Sequence, residues 1–348
     1  MDLKLSVLDQ TPVPEGVSGS EALQQTLDLA RHADALGYHR YWVSEHHGGL
    51  SVAGPAPEAL VPAIASITSR LRVGSGGVML PHYSPFKVAE QFSLLAGLFP
   101  GRIDLGLGRA SGTDALTAFA LQRDRTSQAM HDDFPAQLGE LLGYLENTLP
   151  SNHAFARLAT SLPGLPEAPT PWLLGSSPQS GIWAAELGLP YAFADFINPK
   201  GELIAKSYVN EFQPGRRLDA AEVAVAAWVL VADTAEEAQF LSLSHRVGMN
   251  ALRRGRPMPF FPPEKAEKML RAEGEDPTKP PPGRRMILGT PSQVREQLED
   301  LARGYGASEV IVVTITHDHE ARKRSYELLA TEFALESGTR VASTNAAA

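Results

Sequence analysis

Short apolar runs and longer amphipathic stretches alternate along almost the whole chain. The apolar runs have the length of buried strands, and the longer stretches place apolar residues on one face of a helix. In the first predicted helix these are Leu23, Leu27 and Ala30, with Ser20 as the expected N-cap. The predicted strands are 3–10, 41–45, 71–79, 102–108, 171–175, 190–195, 222–233 and 308–316. The predicted helices are 20–37, 57–68, 85–97, 130–149, 178–187, 200–212, one that starts at Thr234, 292–306 and 319–335.

Eight strands that alternate with helices favour a single-domain (β/α)8 TIM barrel over residues 1–340. An open parallel sheet with a second domain stays an alternative, although no linker divides the chain. The stretch 252–286 is too long for a simple connection, so we expect an insertion after strand seven. It is either a lid over the site or a surface excursion that packs on a neighbouring subunit. Three apolar side chains in it favour contact with an aliphatic or aromatic substrate: Met258, Phe260 and Phe261. We expect the tail 341–348 to be disordered.

Composition limits the classes of partner. The 348 residues carry a net charge of −9 without a long basic stripe, which argues against nucleic acid. The chain has no cysteine, so disulfides, thiolate ligands and a cysteine nucleophile are excluded. No apolar run reaches the roughly 18 residues that span a bilayer, and the first residues do not resemble a signal peptide. We therefore expect a cytoplasmic protein without a membrane partner.

Three consecutive strand ends carry groups that a buried strand would not need. The run 41–47 (YWVSEHH) ends in one acid and two imidazoles, and 71–81 (LRVGSGGVMLP) contains three glycines. The run 102–109 (RIDLGLGR) ends in a cation. The C-terminal ends of parallel strands meet at one face of an α/β protein, where active sites collect. This pattern predicts an enzyme.

A metal site is the first alternative, because histidine and acid side chains ligate zinc or iron. Glu45, His46 and His47 form one cluster, and 317–319 (HDH) form another after the last strand. Neighbours on a strand point to opposite faces, so consecutive residues rarely share an ion. Neither cluster has a recognised ligand spacing, and we therefore expect no metal.

A candidate phosphate site follows the fifth predicted strand. Ser176, Ser177 and Ser180 surround the start of a helix, where free backbone amides suit an anion. Simple N-capping by serine is the alternative. Arg109, at the end of strand four, is a candidate for a charge-assisted contact to the same anion. The glycines of 74–77 lack the pattern of a phosphate loop.

Taken together, five segments closely resemble the bacterial luciferase-like flavin monooxygenases, in particular their uncharacterised single-chain members. The segments are VSEHH (43–47), GSGGVMLPHYSPFKVAEQF (74–92), PGRIDLGLGR (100–109), LLGSSPQSGIWAAELGLP (173–190) and GTPSQVREQLEDLARGYGASEVIV (289–312). The resemblance covers about 3–335 and implies a TIM barrel that binds reduced FMN, supplied by a separate NAD(P)H:flavin reductase. Such proteins react the flavin with dioxygen, oxygenate a small organic substrate and are often homodimers.

The resemblance also implies roles for individual residues. His46 matches the histidine that helps form and protect the flavin hydroperoxide, and Glu45 would support it. Gly76 and Gly77 match the pair around a non-proline cis peptide behind the isoalloxazine ring. Arg109 matches the arginine that meets the FMN phosphate.

Ser176, Ser177 and Ser180 match the phosphate loop of the family. Ser176 replaces an acid of the light-emitting alpha subunit, and Gly108 replaces its reactive cysteine, which argues against luminescence.

Three other functions remain open on the same residues. A deazaflavin-dependent oxidoreductase would use this barrel to transfer hydride without dioxygen. A flavin-binding protein would hold FMN without turnover, and a metal-dependent hydrolase is a more distant alternative. Asp9 and Gln10, at the end of strand one, either line the floor of the pocket or form the turn before Pro12.

Overall fold

Eight parallel β-strands close into a barrel surrounded by helices, which confirms the predicted (β/α)8 fold. The structure is a computed structural model and describes residues 3–109, 113–122, 133–279, 283 and 285–336. The strands are β1 (Lys4–Asp9), β2 (Arg40–Val43), β3 (Arg72–Met79), β4 (Ile103–Gly108), β5 (Thr170–Gly175), β6 (Tyr191–Ala194), β7 (Val223–Val231), β8 (Ile287–Gly289) and β9 (Glu309–Val313). The helices are α1 (Gly19–Leu36), α2 (Pro57–Ile67), α3 (Pro85–Leu98), α4 (Ala115–Leu121), α5 (Phe134–Glu146), α6 (Pro178–Glu186), α7 (Glu202–Glu211), α8 (Ala235–Arg253), α9 (Pro263–Ala272), α10 (Pro291–Tyr305) and α11 (His319–Glu332).

The barrel closes because β1 pairs with both β2 and β9, while β6 pairs with β7 and β7 with β9. The expected eighth strand, 308–316, is therefore β9. The short strand β8 was not predicted, and it pairs with the C-terminal end of β7 at 229–231. Its three residues are too few to carry a periodic signal.

Two helices were also absent from the prediction. α4 follows β4, and α9 lies inside the predicted insertion. The helix predicted over 130–149 begins at Phe134, and residues 130–132 lie outside the described part of the chain. In α1 the N-cap is Ser18 rather than Ser20, because Glu21 completes a capping box with it. The helix ends at Gly37, whose φ of 91° suits glycine.

Alternating residues of each strand face either the helices or the barrel interior. The outward residues and the helices form the larger apolar core, for example Val7, Tyr41 and Val43 with Leu29 of α1. The inward residues form a second cluster, and its largest strand members are Trp42, Trp172 and Trp228. The N-terminal half of the barrel interior is therefore a packed core and not a channel.

Buried charges fill the N-terminal end of this interior. The Arg40 guanidinium donates to Glu309 at 2.9 Å and to Asp104 at 2.9 Å, and it lies 4.5 Å from the ring of Trp172. Burial raises the pKa of Glu309, and the positive charge of Arg40 opposes that shift. Since this end is occupied by paired charges, a ligand has room only at the opposite end.

The described part of the 252–286 insertion packs on its own chain. Ala266 and Leu270 of α9 contact Leu243 and Val247 of α8 in a small apolar cluster. The Arg246 guanidinium donates to Glu275 at 2.6 Å. A lid role for this segment stays a prediction, as does the assignment of 1–340 to one domain. The tail 341–348 lies outside the described residues. No helix in the described ranges has the length and apolar character needed to cross a membrane.

Candidate active site

A cavity of about 400 Å³ opens at the C-terminal ends of the barrel strands. The strand period determines which side chains reach it, so that Trp42, Ser44 and His46 line it from one strand end. Its polar lining is Gln10, Ser44, His46, Arg109, Ser176, Ser177 and Ser180. Its apolar lining includes Leu8, Trp42, Leu174, Ala192, Phe196 and Ile311. Every residue of the predicted site except Glu45 is brought together here.

Bare backbone forms one wall of the cavity. The peptide bond between Gly76 and Gly77 is cis, as the resemblance implied, and the register of β3 against β4 shifts at this point. A Cβ on Gly76 would lie 2.6 Å from Leu8 Cδ1, and one on Gly77 would lie 2.7 Å from Leu174 Cδ1. At Gly77 the new Cβ would also lie 2.8 Å from the Gly106 carbonyl oxygen, which cannot move as a side chain can, and both glycines present peptide atoms instead of side chains to the cavity.

The loop after β5 forms a polar edge of the same cavity. Ser177 is the N-cap of α6, so the first amides of that helix point towards this edge. Asn198 holds the loop by donating to the Ser176 carbonyl at 3.0 Å. Asn198 was missed because nothing in the sequence links it to residues 22 positions earlier. Arg109 lies near the loop, with its guanidinium carbon 5.7 Å from the ring centre of Trp183.

Ser180 has a local structural role in this loop. Its hydroxyl donates to the Ser177 carbonyl at 2.8 Å and lies 2.9 Å from the Tyr191 hydroxyl. Burial raises the pKa of Tyr191 to about 12, so its phenol is protonated at neutral pH and able to donate. The Ser177 amide also donates to Ser180 Oγ, at 3.4 Å. The N-capping alternative thus describes Ser177 and Ser180, which form the capping box of α6, while Ser176 and Ser177 are more accessible than Ser180.

Glu45 does not line the cavity. Its carboxylate lies 2.7 Å from His47 Nε2 and accepts a hydrogen bond from the Met79 amide at 2.9 Å. Burial and the negative charges of Glu45 and Glu58 raise the pKa of Tyr83, which hydrogen-bonds to Glu45. Glu45 therefore orients His47 and the end of β3, whereas its predicted partner was His46. Since residues 45 and 46 point to opposite faces of the strand end, this difference follows from the strand period.

Asp9 does not line the pocket, which was one of the two alternatives for it; it forms the turn before Pro12, which was the other. It is fully buried and accepts from the Arg322 guanidinium at 2.7 Å, from the Tyr41 hydroxyl at 2.6 Å and from the Thr11 amide at 2.7 Å. Burial alone would raise the pKa of Asp9, but Arg322 and these hydrogen bonds lower it. Asp9 thus holds the turn and the helix α11, and Gln10 is the residue that lines the cavity.

The two clusters considered for a metal do not meet. His317 lies against the Glu15 carbonyl at 3.2 Å, and Asp318 caps α11. His319 pairs with Asp28 of α1 at 2.9 Å, and neither residue lines the cavity. Among the described residues, the group close enough to share an ion is Asp28, His319 and Glu320. Lys323 lies 3.2 Å from Asp28 and 3.3 Å from Glu320, which already supplies a cation there.

The predicted lid residues do not reach the cavity either. Phe260 is 1% exposed and belongs to the apolar cluster of the barrel interior, and its ring lies against Gly248 of α8, where a Cβ would come within 2.6 Å of it. Phe261 lies against Lys265, and Met258 lines a smaller cavity of about 150 Å³ beside α8 and α9. Aromatic composition alone does not distinguish a buried side chain from one that contacts the substrate.

A parallel eight-stranded barrel with a partly polar cavity at its C-terminal end defines a TIM-barrel protein that binds a small ligand. A family model described as luciferase-like monooxygenase matches residues 3–309, and the chain belongs to that family. It is accordingly a flavin-dependent oxidoreductase of the monooxygenase type.

Two curated relatives and one solved structure are similar over nearly the full length. The uncharacterized protein YwcH of Bacillus subtilis is 46% identical over 334 residues, covering 95% of this chain and 99% of that protein. The N-acetyl-S-alkylcysteine monooxygenase of the same organism is 37% identical over 332 residues, covering 94% and 97%. The structure of apo-MsnO8 superposes with a TM-score of 0.86 at 40% identity, covering 97% and 99%.

Two more distant structures share the fold alone. One is the oxygenating constituent of 3,6-diketocamphane monooxygenase of Pseudomonas putida in complex with FMN, with a TM-score of 0.71 at 20% identity; 96% of this chain and 98% of that chain are covered. The other is an F420-dependent secondary alcohol dehydrogenase with an F420-acetone adduct, with a TM-score of 0.66 at 15% identity; 96% and 99% are covered.

Proposed function

We propose that the protein is an FMN-dependent monooxygenase. It takes reduced FMN from a separate NAD(P)H:flavin reductase and uses dioxygen to oxygenate a small organic substrate. The observation that carries this proposal is the juxtaposition, in one cavity, of the bare Gly76–Gly77 peptide and the polar loop of Ser176 and Ser177 beside Arg109. A flat ring needs the first surface, and a phosphate needs the second.

The residues present fit a flavin phosphate ester. Ser176, Ser177 and the first amides of α6 would hold the phosphate together with the Arg109 guanidinium. The peptide of Gly76 and Gly77 would lie behind the ring, since no side chain intervenes. Bound flavin would supply the activation of dioxygen.

The chain itself would supply a proton carrier and a dry environment. His46 lies partly buried in the cavity wall, where its imidazole is placed to hold or move a proton. The apolar lining, including Leu8, Trp42 and Ile311, would exclude water from the reacting atoms. Glu45 would act indirectly, because it fixes the orientation of His47 and of the end of β3.

The substrate class follows from the same lining and one relative. The part of the cavity beyond its polar loop is apolar, with Ala192, Ala194 and Phe196 from the end of β6. A small molecule with one oxidisable atom among apolar groups suits such a wall. Because one relative is an N-acetyl-S-alkylcysteine monooxygenase, thioethers are the first class to screen.

Anaerobic titration with reduced FMN and, in parallel, with reduced F420 tests the cofactor. We expect saturable binding of reduced FMN, weak binding of F420, and dioxygen consumption that depends on the FMN-loaded protein. Tight binding of F420 without FMN binding would replace the proposal by the deazaflavin-dependent alternative. FMN binding with no substrate oxygenated in a thioether screen would favour the flavin-binding alternative.

We also propose a homodimer, as the family resemblance implied. Leu94 and Leu98 of α3 are 49% and 60% exposed, while Val88 and Phe92 of the same helix pack on the barrel. Light scattering of the protein, compared with a Leu94→Glu, Leu98→Glu variant, tests this surface. A monomeric wild-type mass would refute the proposal. The cytoplasmic location stays a prediction.

A further inference from the structure

One buried polar group in the cavity has no role in the site described so far. Ser44 follows β2 directly, is 4% exposed and lines the cavity. Its hydroxyl has no hydrogen-bond partner among the described residues. A hydroxyl removed from water without a partner lowers the stability of the folded chain, so such groups are usually satisfied. This one is therefore a group for which a ligand atom is the missing partner.

The strand register shows where the hydroxyl lies. Val43 and Ser75 are the last pair of the parallel β2–β3 ladder, so Ser44 and Gly76 are the next residues along the two strands, and both line the cavity. The Ser44 amide donates to the Asp9 carbonyl at 3.1 Å, so the backbone on its other side is fixed to β1. Trp42 and His46, two residues before and after it, line the same cavity. The hydroxyl therefore belongs to the same cavity wall as the bare peptide, and it follows Trp42 and precedes the candidate proton carrier His46 along the chain.

We propose that Ser44 is a cofactor-positioning residue whose hydroxyl hydrogen-bonds to the polar edge of a flavin ring seated against Gly76–Gly77. This inference rests on the proposed function. The nitrogen- and carbonyl-bearing edge of the ring gains a hydrogen-bond donor when the flavin is reduced. A hydroxyl both donates and accepts, so it satisfies either redox state. It would fix the rotation of the ring in its plane, which the glycine peptide alone does not determine.

The Ser44→Ala variant separates this role from a structural one. Without ligand, its thermal midpoint should equal or exceed that of the wild type, because a buried unpaired hydroxyl is removed. Its dissociation constants for FMN and riboflavin should both rise about 3- to 10-fold, the range expected for one neutral hydrogen bond. The visible absorption bands of bound oxidised FMN should shift relative to the wild-type complex.

Ser93→Ala is the matched control. Ser93 is equally buried but lies on α3, outside the barrel, where its hydroxyl accepts from the Gly164 amide at 3.0 Å. This variant should lose thermal stability and keep both dissociation constants within twofold of the wild-type values.

The outcomes distinguish the two proposals. A wild-type protein that does not bind FMN would remove the proposed function itself. If the wild type binds FMN and Ser44→Ala binds it with the same constant and spectrum, only the role of Ser44 is refuted. A loss of ligand-free stability like that of Ser93→Ala, or a weakening confined to FMN, would also refute it.

Discussion

Side-chain direction at the end of β2 decides which residues can meet a ligand. Trp42, Ser44 and His46 face the cavity, whereas Glu45 turns towards His47 and the end of β3. The period of two that produces this arrangement is visible in the sequence. Because Glu45 and His46 are adjacent in sequence, their chemistry suggested a pair, but their geometry separates them.

Replacing His46 by alanine should uncouple reduction from oxygenation. The imidazole lines the cavity but is not among the groups proposed to hold the phosphate, so we expect the dissociation constant for FMN to change less than about threefold. Without a group to hold or move a proton beside the ring, more of the NAD(P)H consumed should appear as hydrogen peroxide. Catalase-sensitive peroxide per NAD(P)H is the quantity to measure.

His153→Ala is the control for this variant, since His153 lies on the loop between α5 and β5, outside the cavity lining. It should leave the ratio of peroxide to NAD(P)H at the wild-type value. An unchanged ratio in His46→Ala would remove His46 from the mechanism.

Replacing Arg109 by alanine should weaken FMN but not riboflavin. Only FMN carries the phosphate, and a charge-assisted hydrogen bond is worth about 1.5–3 kcal/mol, or roughly 10- to 150-fold in affinity. Fluorescence titration with the two flavins measures the difference directly. Arg109→Lys should give an intermediate loss, because it keeps the charge and loses the planar fork. Equal losses for both flavins would exclude Arg109 from phosphate binding.

At the scale of elements, the irregular centre of β3 depends on two residues without side chains. In a Gly77→Ala variant the new methyl would lie 2.7 Å from Leu174 Cδ1 and 2.8 Å from the Gly106 carbonyl. We expect a loss of about 1–3 kcal/mol in the free energy of unfolding, as for other overpacked sites, together with weaker flavin binding. Chemical denaturation and flavin titration measure the two effects.

Gly139→Ala provides the contrast within the same chain. Gly139 lies in α5, and a Cβ there would meet nothing within 4 Å. Its replacement should raise stability by about 0.5–1 kcal/mol, since alanine is the better helix former. If Gly77→Ala lowers neither the free energy of unfolding nor the affinity for flavin, glycine at position 77 is not required for stability or for flavin binding.

The strands and helices that were predicted from the sequence are those in which apolar residues recur with a clear period. The eight barrel strands and most helices were predicted correctly, and seven of the eight cavity residues proposed from motifs lie together. The ten-residue helix α9 was missed inside the irregular stretch 252–286, and two other missed elements are short. β8 has three residues, and α4 has seven. Phe260 is buried because it packs against Gly248 of α8, a contact that no local sequence pattern shows.

At the scale of the whole molecule, a buried ion pair joins the first strand to the last helix. Asp9 and Arg322 are 0% and 3% exposed and are separated by 313 positions. Asp9→Asn would leave the guanidinium without its counter-charge, so we expect a loss of about 3–5 kcal/mol in the free energy of unfolding. Denaturant titration measures this loss, and FMN affinity of the folded fraction should stay unchanged.

Breaking an exposed pair should have a much smaller effect. Lys265 and Glu15 form a salt bridge on the surface, and Lys265→Ala should cost no more than about 1 kcal/mol. A similarly small effect of Asp9→Asn would contradict the structural role of the buried pair and reopen a place for Asp9 in the cavity.

The charges at the N-terminal end of the barrel have a consequence for synthesis. Arg40 pairs early with Asp104, but its second partner and the partner of Ser6 are both Glu309, which follows Arg40 and Ser6 by 269 and 303 positions. At a translation rate of roughly 5–20 residues per second, Glu309 is synthesised on the order of 15–60 s after Ser6 and Arg40. Before Glu309 is present, the side chains of Ser6 and Arg40 are more stable in water than buried without this partner. A closed barrel of fewer strands would bury them and is therefore disfavoured. The buried network is therefore completed only when β9, which carries Glu309, has been synthesised.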